Sequence, residues 1–152
     1  MKIKRGLISL LILLVLTVAL FTGCSQTKTT ASTATLLTAP ETANVPTITV
    51  SDANTLIQTN KGNPGFVLLD VRTAGEFNSG HIAGAMNLDY YASDFKANIA
   101  KLDKNKQYLV YCRTGIRGAA SVQIMLDLMF TRTQNMAGGI TEWIQEGFPM
   151  VK

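Results

Sequence analysis

The sequence has 152 residues, with 14 basic and 10 acidic side chains, two cysteines and one histidine. Three of the basic residues, Lys2, Lys4 and Arg5, stand at the amino terminus, which leaves 11 basic against 10 acidic residues in the remainder. This nearly neutral remainder has no basic stripe with interleaved aromatic residues, so no nucleic-acid partner is expected.

The amino terminus has the pattern of a secretory signal, because those three basic residues precede an apolar run over residues 7–21. At about 1.5 Å per residue, this run reaches only about 22 Å as a helix, short of the ~30 Å hydrocarbon core of a membrane. Cleavage is therefore favoured, and an uncleaved anchor helix is the alternative. The run ends in Leu20-Phe21-Thr22-Gly23-Cys24, which resembles the lipobox of bacterial lipoproteins, with Phe21 in place of the usual leucine. We expect a signal peptide over residues 1–23, a lipid on Cys24 and export to the outer face of a bacterial membrane.

Residues 24–45 are dominated by threonine, alanine and serine and show little apolar periodicity. This composition is typical of a flexible tether, which would join the membrane to whatever follows. The following stretch, 46–152, is about the size of one small domain.

Strands and helices alternate along this domain. Strands are predicted at 47–50, 66–69, 86–88, 108–111 and 133–136. Helices are predicted at 53–58 after a Ser51 cap, at 74–77, from Ser93 with Phe95, Ile99 and Leu102 on one face, at 118–128, and at 141–146. The alternation predicts an α/β fold, with a mainly parallel central sheet and helices on both faces. In such sheets, ligands bind beyond the carboxyl ends of the strands.

Cys112 stands at such a strand end, directly before a predicted helix. Backbone N–H groups at a helix start favour an anion and therefore a thiolate, and Arg113 and Arg117 add positive charge. Gly115 permits the backbone conformations that turn several amides toward one point. The alternatives are a buried structural cysteine or, in an oxidising compartment, a disulfide with Cys24.

Four side chains outside the loop are best explained as scaffold, although three of them invite a catalytic interpretation. Asp70 and Arg72 follow a core strand, where a structural ion pair or a turn cap is expected. His81 is the only histidine, but a thiolate held by loop amides needs no general base. Trp143 is expected to pack the last helix onto the sheet.

Three segments together resemble the rhodanese family of sulfurtransferase domains. The first runs from Leu69-Asp70-Val71-Arg72 through Glu76-Phe77 to Gly80-His81-Ile82-Ala83-Gly84-Ala85, the second is Cys112 to Arg117, and the third is Gly138-Gly139-Ile140 with Trp143 and Gly147-Phe148-Pro149. The resemblance implies a rhodanese-like domain with Cys112 as the catalytic nucleophile. It also implies a substrate loop formed by Arg113, Thr114, Gly115, Ile116, Arg117 and Gly118. Met129 stands where the family commonly has glycine, so the helix must end there in a strained cap or end differently.

The resemblance also bears on the reaction. The family's phosphatase branch places an arginine six positions after the cysteine, whereas Arg117 follows Cys112 by five, which favours sulfur transfer from an anionic donor such as thiosulfate. The acceptor, a thiol or cyanide, must be external because the domain has no second cysteine. A phosphatase, a persulfide carrier without turnover and a redox module remain alternatives, and no cofactor or metal is expected.

Overall fold

A parallel five-stranded sheet forms the centre of the fold in the computed structural model, which describes residues 44–152. The strands are β1 (Thr47–Ile48), β2 (Phe66–Asp70), β3 (Met86–Asn87), β4 (Gln107–Tyr111) and β5 (Thr133–Met136). Their order across the sheet is β1-β5-β4-β2-β3, and each neighbouring pair runs parallel. The predicted signal peptide, Cys24 and nearly all of the predicted tether lie outside the described residues. Between residues 44 and 152, no helix is long and apolar enough to cross a membrane.

Helices cover both faces of this sheet, as predicted. They are α1 (Val50–Thr59), α2 (Ala74–Ser79), α3 (Phe95–Ala100), α4 (Ile116–Asp127) and α5 (Gly139–Gln145). Tyr108 and Val110 of β4 pack in one apolar cluster with residues of α3 and α4. Leu109 and Tyr111 pack in a second cluster with residues of α1 and α5. Successive strand residues point to opposite faces, so the continuous apolar run of β4 serves both clusters.

Most predicted elements are present, but several helix boundaries were wrong. The first helix is capped by Thr49, whose hydroxyl accepts the Asp52 N–H at 3.1 Å, and not by Ser51, which lies inside it. The third helix begins at Phe95 after the turn that contains Ser93. Phe95 and Ile99 are buried on one face of this helix, as predicted. Leu102, the third residue predicted on that face, lies beyond the end of the helix at Ala100.

Helices α4 and α5 each begin two residues earlier than predicted, at Ile116 and Gly139. Both follow a glycine in the left-handed conformation, with φ of 92° at Gly115 and 66° at Gly138. A glycine cap supplies no side-chain hydrogen bond, so the side-chain signal that normally marks a helix start is missing at both places.

The end of α4 shows the strained cap expected at Met129. This residue has a φ of 67°, in the left-handed region, which side chains other than glycine adopt at a cost. The Phe130 N–H donates to the Met125 carbonyl at 3.0 Å and the Met129 N–H to the Leu126 carbonyl at 2.9 Å. These two bonds form a Schellman motif, and Phe130 packs in the same apolar cluster as Met125.

Candidate functional site

Cys112 lies at the carboxyl end of β4, and the residue is only 1% exposed. The backbone N–H of Gly115 donates a hydrogen bond to the Cys112 Sγ at 3.2 Å. This contact needs the turn that the positive φ of Gly115 provides, and a Cβ there would also press on the Gly138 nitrogen at 3.2 Å. Cys112 is the only cysteine among the described residues, and its thiol is free. The loop is thus wound tightly around the sulfur.

The start of α5 holds this loop in place. The Ile140 N–H donates to the Cys112 carbonyl at 2.9 Å, and the Thr141 N–H donates to the Arg113 carbonyl at 3.0 Å. Gly139 allows the close approach, because a Cβ at that position would overlap the Cys112 carbonyl oxygen and the Arg113 carbonyl group. The position of the cysteine loop therefore depends on a backbone contact between β4 and α5.

The Arg117 guanidinium binds the carboxylate of Glu76. Its Nη1 and Nη2 donate to Glu76 Oε2 and Oε1 at 2.9 and 2.8 Å. The guanidinium also lies over the Tyr91 ring, 5.4 Å from its centroid. Hydrogen bonding to Glu76 raises the pKa of Arg117, partial burial opposes the rise, and the negative charge of Glu76 adds to it. Glu76 therefore fixes the position of the Arg117 guanidinium beside the loop and neutralises most of its charge.

Glu76 ties this arginine to α2. Its Oε2 also accepts the Thr73 N–H at 2.9 Å and the Thr73 hydroxyl at 3.0 Å, while Thr73 Oγ1 accepts the Glu76 N–H, which completes a capping box. The Arg117 hydrogen bonds, with those from Thr73, lower the pKa of Glu76 to about 2 although partial burial opposes the shift. One carboxylate thus joins a helix cap to the substrate loop.

The Arg113 side chain, unlike that of Arg117, has no charge partner among the described residues. Among the described residues, the Arg113 side chain makes no hydrogen bond or ion pair. It is exposed beside a cavity of about 370 Å³, here called the loop cavity. The residues that line the loop cavity are Glu76, Tyr91, Arg113, Thr114, Ile116 and Arg117. Of the two arginines expected to bind a donor, only Arg113 has no charge partner among residues 44–152.

The remaining predicted loop residues divide between the surface and the scaffold. Thr114 and Ile116 are exposed at the loop cavity. Gly118 is buried within α4, and a Cβ there would overlap the side-chain oxygen of Asn135 on β5. Its place in the structure is that of a packing glycine, which lets α4 approach the sheet.

The predicted ion pair between Asp70 and Arg72 is present. Arg72 Nη2 lies 2.6 Å from Asp70 Oδ2 and donates to the Gly80 carbonyl at 2.7 Å, and both side chains are almost fully buried. The pKa of Arg72 is raised: burial opposes the rise, and the hydrogen bond to Asp70 and its charge outweigh it. Burial, with Asp70 nearby, raises the pKa of the Tyr111 hydroxyl, which accepts the Ile82 N–H at 3.2 Å. These groups connect β2, β4 and the segment after α2.

His81 and Trp143 also have surroundings that fit a scaffold. The His81 ring stacks on Phe77 at 3.8 Å between centroids, its backbone pairs with Val151, and it lines no part of the loop cavity. Trp143 is 1% exposed in the α1 and α5 cluster, and its Nε1 donates to the Pro149 carbonyl at 3.0 Å.

Two contributors to the site were missed from the sequence. The Thr73-x-x-Glu76 spacing signals a capping box, but nothing local indicates that the same carboxylate binds Arg117, which lies 41 positions away. Gly139 was read only as part of a closing motif. Two adjacent glycines before a helix were the available sign that a backbone approaches closely there.

Comparison with known proteins connects this geometry to a family. Residues 50–146 match the model of the rhodanese-like domain, which is more than half of the chain. The chain belongs to the rhodanese-like family. A sulfurtransferase from Allochromatium vinosum is 27% identical over 66% of this chain and 92% of its own length. A thiosulfate:glutathione sulfurtransferase from Saccharomyces cerevisiae is 25% identical over 69% of this chain and 82% of its own length.

A solved structure agrees with this rhodanese-like assignment. The crystal structure of a rhodanese-related protein from Thermoplasma volcanium superposes with a TM-score of 0.56, at 29% identity, over 70% of this chain and 97% of that one. The expected rhodanese-like α/β fold is therefore confirmed. At these modest identities, the relatives support a sulfurtransferase-type enzyme without specifying its donor or acceptor.

Proposed function

We propose that the protein transfers a sulfane sulfur from an anionic donor such as thiosulfate to a thiol or cyanide through a persulfide on Cys112. The observation that carries the proposal is the loop itself: the Gly115 amide donates to the Cys112 Sγ at 3.2 Å, and the next residue, Arg113, has no charge partner in the part of the chain that the structure describes. An amide that faces a sulfur stabilises negative charge there, and a cation at the entrance attracts an anion.

In the first half-reaction, the Cys112 thiolate attacks the outer sulfur of thiosulfate. The new bond joins Sγ to that sulfur, the sulfur–sulfur bond of the donor breaks, and its electron pair leaves with sulfite. The total charge is unchanged, because a persulfide anion and sulfite replace a thiolate and thiosulfate. We assign donor binding to Arg113, which lines the loop cavity, and stabilisation of charge at the cysteine sulfur to the Gly115 amide, which already donates to it.

In the second half-reaction, an external acceptor removes the sulfur. Apart from Cys112, no cysteine follows Cys24 in the sequence, so the described domain holds no second thiol for this step. An acceptor thiolate attacks the sulfane sulfur, the bond to Sγ breaks, and the electron pair returns to Cys112 as a thiolate. This restores the starting enzyme.

The loop favours sulfur over phosphoryl transfer. Arg117 follows Cys112 by only five positions and is already bound by Glu76 through two hydrogen bonds. Phosphoryl transfer relies on cations that clamp the transferred group, whereas both terminal nitrogens of this arginine already donate to Glu76. A carrier without turnover is the second candidate, because a cysteine that is 1% exposed would protect a stored persulfide.

The test is the mass of the full chain after incubation with thiosulfate. We expect a gain of one sulfur on Cys112, absent in Cys112→Ser, and its loss with thiocyanate formation when cyanide is added. A Cys112→Ser variant with wild-type thiosulfate:cyanide activity would overturn the proposal. A stable persulfide that no acceptor removes would instead support the second candidate, a sulfur carrier without turnover.

We also propose that the protein works at the outer face of a bacterial membrane, held by a lipid on Cys24. The support is the basic and apolar amino-terminal pattern and its ending in Thr22-Gly23-Cys24. Mass spectrometry of the membrane fraction tests this: a mature chain that begins with an acylated Cys24 is expected. An intact amino terminus with unmodified Cys24 would contradict it.

A further inference from the structure

The amino ends of the strands lie on the side of the sheet opposite Cys112. Three segments lead into neighbouring strands there: 60–65 before β2, 101–106 before β4 and 128–132 before β5. Contacts connect them, since the Gln107 N–H donates to the Gly65 carbonyl at 2.8 Å and Arg132 Nη2 donates to Gln107 Oε1 at 3.5 Å. The three segments form one surface, here called the amino-end face.

The amino-end face is basic. Its segments carry five cations and one carboxylate, namely Lys61, Lys101, Lys104, Lys106 and Arg132 against Asp103. With Asp127, the last residue of α4, the excess is still three positive charges. None of the five cations forms an ion pair with any residue between 44 and 152. By contrast, the segments that follow β2, β3 and β4 at the opposite side carry two cations and two carboxylates.

An exposed apolar side chain stands among these cations. Met129 is 77% exposed, although its φ of 67° is costly for any residue other than glycine. The Lys104 Nζ lies 5.8 Å from the ring centroid of Phe130, the next residue. Phe130 is 1% exposed, so the face presents no aromatic ring on which a nucleic-acid base could stack. An apolar tip flanked by cations instead suits a lipid surface, where the tip enters the hydrocarbon region and the cations meet the headgroups.

The chain also enters the domain from this side. Strand β1 runs parallel to the others, so its amino end lies on the same side of the sheet as those of β4 and β5. Thr47 pairs with Asn135, and the Asn135 N–H donates to the Pro46 carbonyl at 2.7 Å. Val45 packs against the apolar cluster that contains Phe130. The connection toward Cys24 therefore leaves the domain on the side of the amino-end face.

We propose that the amino-end face docks on a membrane surface with anionic headgroups, with the Met129 side chain in the hydrocarbon region. This inference rests on the proposed location at a bacterial membrane and adds an orientation to it. The cations attract anionic headgroups over a screening distance of about 10 Å at 0.1 M salt. Strand β4 has five residues and spans about 17 Å, so the docked domain holds Cys112 away from the lipid. The cysteine loop is then open to the surrounding medium.

The test compares tryptophans placed at the two ends of α4. Ile116 is the first residue of this helix and Met129 lies just beyond its last, and both are 77% exposed. The full chain with Met129→Trp or Ile116→Trp is mixed with brominated phosphatidylcholine vesicles, with and without phosphatidylglycerol, and the emission of buried Trp143 in the wild type is subtracted. We expect anionic vesicles to quench Met129→Trp at least about twofold more than Ile116→Trp. High salt, or vesicles without phosphatidylglycerol, should abolish the difference.

A matched pair of charge reversals tests the cations. Lys104→Glu, added to the Met129→Trp chain, should weaken the quenching by anionic vesicles severalfold, because it places a negative charge beside the inserted residue. Lys96→Glu, the same reversal at an exposed lysine near the start of α3 and outside the face, should not. The wild-type chain gives a second measurement. Anionic vesicles should slow the acetylation of Lys61, Lys101 and Lys104, followed by mass spectrometry, and leave that of Lys96 unchanged.

The outcomes separate this proposal from the others. Equal quenching at the two ends of α4, or equal effects of Lys104→Glu and Lys96→Glu, would overturn the docking. Protection of the lysines by polyglutamate, with no quenching by brominated lipid, would overturn the lipid surface in favour of an acidic protein. The proposed location fails by a different observation, an unmodified Cys24 on an intact chain, which the vesicle experiments do not measure. A failure of the docking leaves the proposed sulfur transfer unaffected.

Discussion

In both arginine–carboxylate pairs of this domain two guanidinium nitrogens donate to one carboxylate, but the surroundings of the pairs differ. Asp70 and Arg72 are two residues apart, and their side chains are 0% and 6% exposed. Glu76 and Arg117 are 41 residues apart, and their side chains are 31% and 14% exposed. The first pair joins core segments, whereas the second joins a surface helix to the cysteine loop. We expect the first to govern stability and the second to govern the site.

Breaking the buried pair should have the largest effect on stability. Asp70→Asn leaves the Arg72 guanidinium buried without its counterion, and such a loss costs about 3 to 5 kcal/mol. Urea unfolding of the full chain measures this. The control is Asp127→Asn, the same change at an exposed residue of α4, for which a change within about 0.5 kcal/mol is expected. Equal effects would show that the buried pair has no special weight.

Gly139→Ala should have the next largest effect on stability. It tests whether the contact between α5 and the cysteine loop, rather than the Glu76–Arg117 pair, sets the position of the loop. The new Cβ overlaps the carbonyls of Cys112 and Arg113, and φ is 58°. We expect a loss of about 2 kcal/mol and a slower persulfide formation. Gly75→Ala is the control, since nothing lies within 4 Å of its Cβ position. Wild-type persulfide formation in Gly139→Ala would contradict the assigned role.

Glu76→Gln should affect the site more than the stability. The pair is partly exposed, so solvent screening limits its contribution to about 1 kcal/mol. Because Arg117 loses its anchor, persulfide formation should slow by about tenfold. Glu146→Gln, an exposed glutamate outside either pair, is the control. A large loss of stability with normal persulfide formation would contradict the expectation that the Glu76–Arg117 pair acts mainly on the site.

The same variant has a predicted pH signature. The pKa of Glu76 is lowered to about 2 from an ordinary 4.5, so its contribution to stability is complete above pH 4.5. It is lost as the pH falls from about 4.5 to about 2. The difference in unfolding free energy between wild type and Glu76→Gln should therefore shrink over that range, as urea unfolding at several pH values measures. A difference that does not change with pH would contradict the assignment.

Met129→Gly should have the smallest effect, in the opposite direction, and gives a baseline remote from both pairs. Relief of the positive φ should stabilise the domain by about 1 kcal/mol without changing persulfide formation. Thermal unfolding with an activity assay tests both expectations. Met129→Ala, which shortens the exposed side chain and keeps the strain, should show no gain.

The features that the sequence predicted well are formed by residues close together in the chain. The apolar run before Cys112 and the spacing of Phe95 and Ile99 report burial directly, so the strand and the helix face followed from the residues alone. The Asp70–Arg72 pair was also predictable, because its members are two positions apart. Helix starts at Gly115 and Gly138 were not, since their signal is a backbone conformation rather than a capping side chain.

The rest of the site depends on contacts between distant segments. No rule of spacing connects Glu76 with Arg117 or predicts that an α5 amide donates to the Cys112 carbonyl. The consequence for function is specific: the sequence suggested two donor-binding arginines, and the fold leaves the charge of only Arg113 unpaired among the described residues. Which charge is available is decided by tertiary packing.

Trp143 gives this protein a built-in optical probe. It is the only tryptophan in the sequence, it is buried, and it lies in the helix whose first turn donates to the cysteine loop. Its emission should shift to longer wavelength when the domain unfolds and water reaches the indole. The unfolding experiments above can therefore be followed by intrinsic fluorescence, with no dye and no added label near the reactive sulfur.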